Sequence, residues 1–177
     1  MHILQLKPLA ATLLVASGLG CTLSAQAEGL YVGAGLGTPH YSDNVNGTSG
    51  EGSGISGKVF GGYQLTPNFA IEAGLSNLGH IDNASGSVNS HAQYIDAVAL
   101  APLTDKWSLL GSLGMAHVEM NTSNGDGSGN GLKVGLGAQY ALSSNMALRG
   151  EWERYRADAF GAKPAVDQYT MGVRVAF

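Results

Sequence analysis

From Tyr169 onward every second side chain is apolar. Tyr169, Met171, Val173, Val175 and Phe177 share one parity, and Gln168, Thr170, Gly172, Arg174 and Ala176 share the other. A period of two marks an extended strand with one apolar and one polar face. The alternation recurs along the chain, and no apolar run beyond the N-terminus is long enough for a membrane-spanning helix. Whatever apolar surface this chain buries or turns toward lipid, it carries on the faces of strands.

Residues 1–27 read as a segment outside the fold. Lys7 supplies a positive charge, residues 9–19 an apolar core, and Ala25-Gln26-Ala27 a small-x-small cleavage site, which together make a secretory signal peptide. Cleavage before Glu28 would remove Cys21, the single cysteine; Gly18-Leu19-Gly20 puts the leucine out of place for lipid attachment, so no disulfide is expected. Residues 28–177 are then 150 residues, enough for one domain. With Lys7 gone, eight basic side chains stand against thirteen acidic ones, which argues against a nucleic-acid partner. Twenty-seven glycines are too many for a helical protein but suit a narrow, curved sheet whose interior holds large side chains.

The pattern divides into eight strands, expected over residues 29–41, 55–65, 69–78, 91–101, 107–119, 131–142, 146–156 and from about 167 to Phe177. Three short turns, Thr66-Pro67-Asn68, residues 102–106 and Ser143-Ser144-Asn145, alternate with four polar stretches at 42–54, 80–90, 121–130 and 157–166 that read as loops. Strands of this length cross a bilayer at a tilt, and an even number closes into a ring without free edges. The expected fold is therefore all-β, an eight-stranded antiparallel up-and-down transmembrane β-barrel, with turns toward the periplasm and loops outside. Tyr63, Phe69, Trp107, Tyr140 and Phe177 would mark the periplasmic interface, and Trp152 and Tyr169 the outer one.

Particular motifs add to this. Gly62-Tyr63-Gln64-Leu65-Thr66-Pro67-Asn68, followed by Ile71-Glu72-Ala73-Gly74, resembles the second hairpin of the OmpA-type transmembrane barrel. Ala101-Pro102-Leu103-Thr104-Asp105 is similar to its next periplasmic turn. Gln139-Tyr140-Ala141-Leu142 with Ala147-Leu148-Arg149-Gly150-Glu151-Trp152 is similar to its last hairpin, and Tyr31 to Gly37 fits its first strand. The resemblance spans residues 28–177 apart from the loops. It implies a monomer integral to the outer membrane of a Gram-negative bacterium, embedded in outer-membrane lipid and lipopolysaccharide. It also implies insertion by the barrel-assembly machinery, with Tyr169, Val173, Val175 and Phe177 as the signal. The family's peptidoglycan-binding domain is not expected, because the sequence stops at the barrel.

Glu72 and Arg149 each lie three residues from a turn, on strands opposite each other in a ring of eight. A buried charge without a partner is costly, so the two are expected to meet across the lumen with Glu151 near. In the resembled family the matching positions hold an ion pair that blocks the pore and exchanges partners. The alternative partners there align with Val98 and Gln139 here, which leaves that exchange without its charges. Lys58, Asp96, Lys133, Glu153 and Arg174 are expected to fill the same interior. Arg154 and Arg156 share the outward parity of Trp152, and would reach lipopolysaccharide phosphates or simply snorkel into the headgroup region. The histidines at 40, 80, 91 and 117 are scattered, so no metal, cofactor or catalytic triad is expected, and the chain reads as a non-enzyme. The expected role is structural and interactive, supporting the envelope and displaying four extracellular loops. A narrow pore gated by interior charges is the alternative, followed by lipid A modification.

Overall fold

The computed structural model describes residues 29–41, 54–83, 86–122, 125–156 and 165–177. The signal-peptide reading of residues 1–27 falls outside these residues, as do positions 42–53 and 157–164 of two of the expected loops.

The strands are β1 (Gly29–Tyr41), β2 (Ser56–Thr66), β3 (Phe69–Asn83), β4 (Gly86–Pro102), β5 (Trp107–Thr122), β6 (Gly125–Ala141), β7 (Met146–Arg156) and β8 (Ala165–Ala176). Each pairs antiparallel with its neighbours in sequence, and β8 closes on β1. The fold class is as expected, but two of the expected loops are not loops. Residues 80–83 and 86–90 continue the β3–β4 ladder to Asn83↔Gly86, and residues 121–122 and 125–130 continue β5–β6 to Thr122↔Gly125. Their Gly/Ser/Asn composition hid the pairing, because Ile81 and Val88 stand isolated in otherwise polar or small stretches and the period of two disappears.

The three short turns share one device. Thr66 Oγ1 accepts from the amides of Asn68 at 3.3 Å and Phe69 at 3.1 Å. Thr104 Oγ1 does the same for Lys106 at 3.3 Å and Trp107 at 3.0 Å. Ser143 Oγ accepts from Met146 N at 3.1 Å. A hydroxyl that satisfies the amides just ahead stabilises a tight reversal. At the other end, β3 carries a bulge between Asn77 and His80. Gly79 there has φ +92°, its amide donates to Asn77 Oδ1 at 2.8 Å, and an added Cβ would sit 2.5 Å from the Pro39 ring. Only glycine fits without strain.

Pairing fixes the tilt. The row Gly29, Gln64, Ala70, Val98, Ser112, Gly135, Glu153, Gln168 returns to β1 at Pro39, ten residues above its start. Eight strands with that stagger tilt by about 40°, so a paired row climbs about 3 Å per strand. Once the climb is allowed for, Tyr63, Phe69, Trp107, Tyr140 and Phe177 lie at one level near the turns, and Trp152 and Tyr169 lie near the hairpin end. Between them the outward residues, such as Leu36, Leu75, Ile95, Leu113, Leu136 and Met171, are exposed and apolar. The other parity points into the lumen. Several interior glycines face aromatics on the next strand: a Cβ on Gly33 would lie 2.2 Å from the Phe60 ring, and one on Gly62 2.4 Å from Tyr31. The rings occupy the space those glycines vacate.

Candidate functional site in the barrel lumen

Inward parity, tilt and strand offset sort the interior into three layers. Nearest the turns is a vestibule of about 250 Å³, lined by Gln64, Ser108, Gln139, Arg174 and Phe177. Above it lies a charged layer, and at the hairpin end an apolar one.

The charged layer is a single chain of seven side chains with alternating sign. Arg149 Nη1 donates to Glu72 Oε2 at 2.7 Å, and its Nη2 donates to Glu151 Oε1 at 2.7 Å. Glu151 in turn binds Lys58 Nζ. Lys58 lies 3.1 Å from Glu153 Oε2, whose Oε1 is 2.6 Å from Lys133 Nζ. Lys133 ends the chain on Asp96. Glu153 thus bridges the two lysines. All seven side chains are buried.

Aromatic rings support this chain. The Tyr31 hydroxyl donates to Glu72 Oε2 at 3.1 Å and the Tyr94 hydroxyl to Oε1 at 3.4 Å. Lys133 Nζ sits 4.1 Å from the Tyr94 ring centre and 5.5 Å from that of Tyr155, and Arg149 sits 4.8 Å from that of Phe60. Ring faces attract cations in a desolvated interior. Four carboxylates meet three cations in the chain. Arg174 balances the fourth at a distance, stacked 4.0 Å over Tyr31 and donating to Gln64 Oε1 at 2.9 Å.

The structure thus brings Glu72, Arg149 and Glu151 together. Sequence reading missed that Lys58, Glu153, Lys133 and Asp96 continue the same chain; their shared inward parity was visible, but their common depth depends on the stagger. At the positions where the resembled family keeps its alternative partners, Val98 is buried and Gln139 lies beside Arg149 in register. Arg149 instead has its second carboxylate, Glu151, two residues along its own strand.

The apolar layer was not foreseen. Tyr41, Leu78, Val118, Met120, Tyr155 and Val166 are all at most 4% exposed and pack at the hairpin end of the lumen, with Ser90 buried opposite Met120. The Tyr41 hydroxyl ties across it to the Leu78 carbonyl at 3.1 Å.

On the outer wall, Arg154 forks onto Asp167, with Nε to Oδ1 at 2.7 Å and Nη2 to Oδ2 at 2.6 Å. Trp152 Nε1 donates to the same Oδ1 at 3.1 Å. Arg156 is exposed at the end of β7. Tyr169 faces outward beside Trp152, Val173 and Val175 follow on the same parity, and Phe177 is exposed at the turn end. His117 Nδ1 lies 2.7 Å from Asn130 Oδ1 and His117 Nε2 lies 3.8 Å from Glu119, with Ser128 paired opposite Glu119 on the same exposed face.

The outer membrane protein beta-barrel domain family matches residues 10–177. No curated protein matches the chain. Among solved structures, Neisserial surface protein A (NspA) superposes with a TM-score of 0.72 at 17% identity, covering 84% of this chain and 97% of that one. Ail, the attachment invasion locus protein of Yersinia pestis, in complex with a heparin analogue, gives 0.61 at 15% identity, over 85% and 99%. The N-terminal β-barrel domain of Pseudomonas aeruginosa OprF gives 0.60 at 14%, over 86% and 100%.

Proposed function

Because the chain belongs to the outer membrane protein beta-barrel domain family, and is therefore an integral outer-membrane protein, we propose that it works as a plugged barrel: a rigid envelope component that presents its hairpin end to the outside. The observation that carries this reading is the double closure of the lumen. A solute entering from the turn end reaches Arg174, then a neutralised ion chain, then an apolar seal. The likeness to proteins described as surface and attachment proteins points the same way.

The test is single-channel recording of the refolded chain in planar bilayers, wild type beside Glu72→Ala. Silent bilayers containing verified folded protein support the plug. Discrete openings altered by the substitution would favour the second reading, a narrow pore gated by its interior charges. One observation favours that second reading: Arg149 already touches two carboxylates, so it has an alternative partner within reach.

Two interactions and one oligomeric state belong to the same reading. Arg154 and Arg156 face lipopolysaccharide phosphates at the outer rim, Arg156 the more freely because Arg154 is committed to Asp167. The strand bearing Tyr169, Val173, Val175 and Phe177 is recognised by the barrel-assembly machinery. The barrel functions as a monomer, its edges consumed by closure at membrane depth.

A further inference from the structure

The outward residues of β5 leave the apolar band at His117. It stands ten residues above Trp107 on the same parity, about 25 Å higher along a strand tilted by about 40°, and the apolar band of such a barrel is about 25 Å tall. Leu109, Leu113 and Met115 lie exposed between them. His117 is therefore level with the boundary where lipid hydrocarbon gives way to ester-linked headgroups.

Four polar side chains share that level. Register sets His117 opposite Asn130 and Glu119 opposite Ser128. Asn130 Oδ1 lies 2.7 Å from His117 Nδ1, so Nδ1 carries the proton and Nε2 the lone pair. Nε2 lies 3.8 Å from Glu119 Oε1, on the side of the upper pair. Ser128 is the diagonal neighbour of His117, and a diagonal pair on one sheet face is within reach of a long side chain.

The wall beside this group carries a trough of about 800 Å³. Gly57 leaves it open between Leu36, Val59, Leu75 and Met171, and a Cβ on Gly57 would lie 3.3 Å from the Leu36 side chain. His91 and Gln93 form its edge, and they pair with Glu119 and His117. Paired rows descend about 3 Å per strand from β4 back through β1 to β8, so the trough runs from the polar group down into the apolar band.

We propose that this group hydrolyses an acyl ester of an outer-leaflet lipid whose chain lies in the trough. Ser128 Oγ attacks the ester carbonyl carbon, and its proton passes to His117 Nε2. Asn130 is a positioning residue that holds the imidazole in this tautomer, and Glu119 stabilises the imidazolium that forms. Asn121, exposed on the same parity beyond Glu119, offers an amide N–H to the developing oxyanion. The bond to the lipid alkoxide breaks, and the alkoxide takes the proton from His117. Water, giving a proton to Nε2, then attacks the acyl group; the fatty acid leaves and the proton returns to Ser128 Oγ. This activity is separate from the plug and stands whether or not the lumen conducts.

The test is fatty-acid release by the refolded chain in detergent micelles, from a diacyl glycerophospholipid in one arm and purified lipid A in the other. Release in either arm is expected, and the arm identifies the source of the ester. Ser128→Ala and His117→Gln should each lower kcat about a hundredfold or more, with heat-modifiable folding kept. A fluorophosphonate should attach to Ser128 with loss of fluoride, located by mass spectrometry, and should not attach in His117→Gln. Asn130→Leu should lower kcat with KM unchanged, and Asn130→Asp should restore it. Gly57→Leu should raise KM for the long-chain lipid and leave a short soluble ester unaffected. No release in either arm, release that survives Ser128→Ala, or labelling only at another residue would overturn the hydrolase. An unchanged KM in Gly57→Leu would overturn the trough as the acyl seat.

Discussion

The charged middle of the lumen and its apolar outer layer are built on the same strands, a few residues apart, yet they hold the barrel in opposite ways. In the middle, each side chain depends on its neighbours: a carboxylate taken out of water is tolerable only while its cation remains. In the outer layer Leu78, Val118, Met120 and Val166 gain from burial individually and need little from one another beyond close packing. The middle is therefore fragile to single substitutions and tolerant of paired ones, whereas the outer layer loses stability roughly methylene by methylene. One layer specifies which strands face each other; the other seals them.

The largest effect should come from Arg149→Ala. It strands Glu72 and Glu151 together and should cost about 3–5 kcal/mol of unfolding free energy, read by urea titration of the folded barrel in detergent micelles. A value equal to wild type would remove the cross-lumen pair from the account. Met120→Ala should cost about 2–4 kcal/mol through the cavity it leaves, measured the same way; a loss below about 1 kcal/mol would mean the outer layer is loosely packed. The double change Lys133→Met with Asp96→Leu removes both members of the terminal pair and leaves Glu153 with Lys58. It should be near neutral, within about 1 kcal/mol, and a loss as large as that of Arg149→Ala would break the distinction between paired and single substitution. Conductance sharpens the contrast further. Glu72→Ala alone and Leu78→Ala with Met120→Ala should both stay silent in planar bilayers, and the three changes together should conduct; flux through either partial variant would show that one layer, not two, closes the lumen. The smallest effect on the finished barrel should be that of Phe177→Ala, which slows surface assembly while leaving the layers intact. Unchanged surface levels and heat-modifiable folding would count against the assembly-signal reading.

Much of this was legible from alternation. The parity of Tyr169, Met171, Val173 and Val175 identified the lipid face of β8, and the inward parity of Glu72 and Arg149 identified their meeting. Legibility failed where parity lost its contrast. Along Gly127 and Gly129 neither face is apolar, so residues 125–130, paired strand in the structure, read as loop. The outer layer escaped notice for a related reason: Val118 and Met120 continue a parity that mixes Ser108, Leu110 and Ser112 lower down, so no separate apolar face stands out.

By itself the sequence determined strand number, the lipid-facing side of each strand and which charges point inward, because a period of two encodes a face in every second residue. It could not determine which inward charges share a level. That was decided by the ten-residue stagger of the closed sheet, which carries Lys58, Glu151, Glu153 and Lys133 from three strands into reach of one another. Stagger is a property of closure, set only when β8 returns to β1, and no local segment contains it.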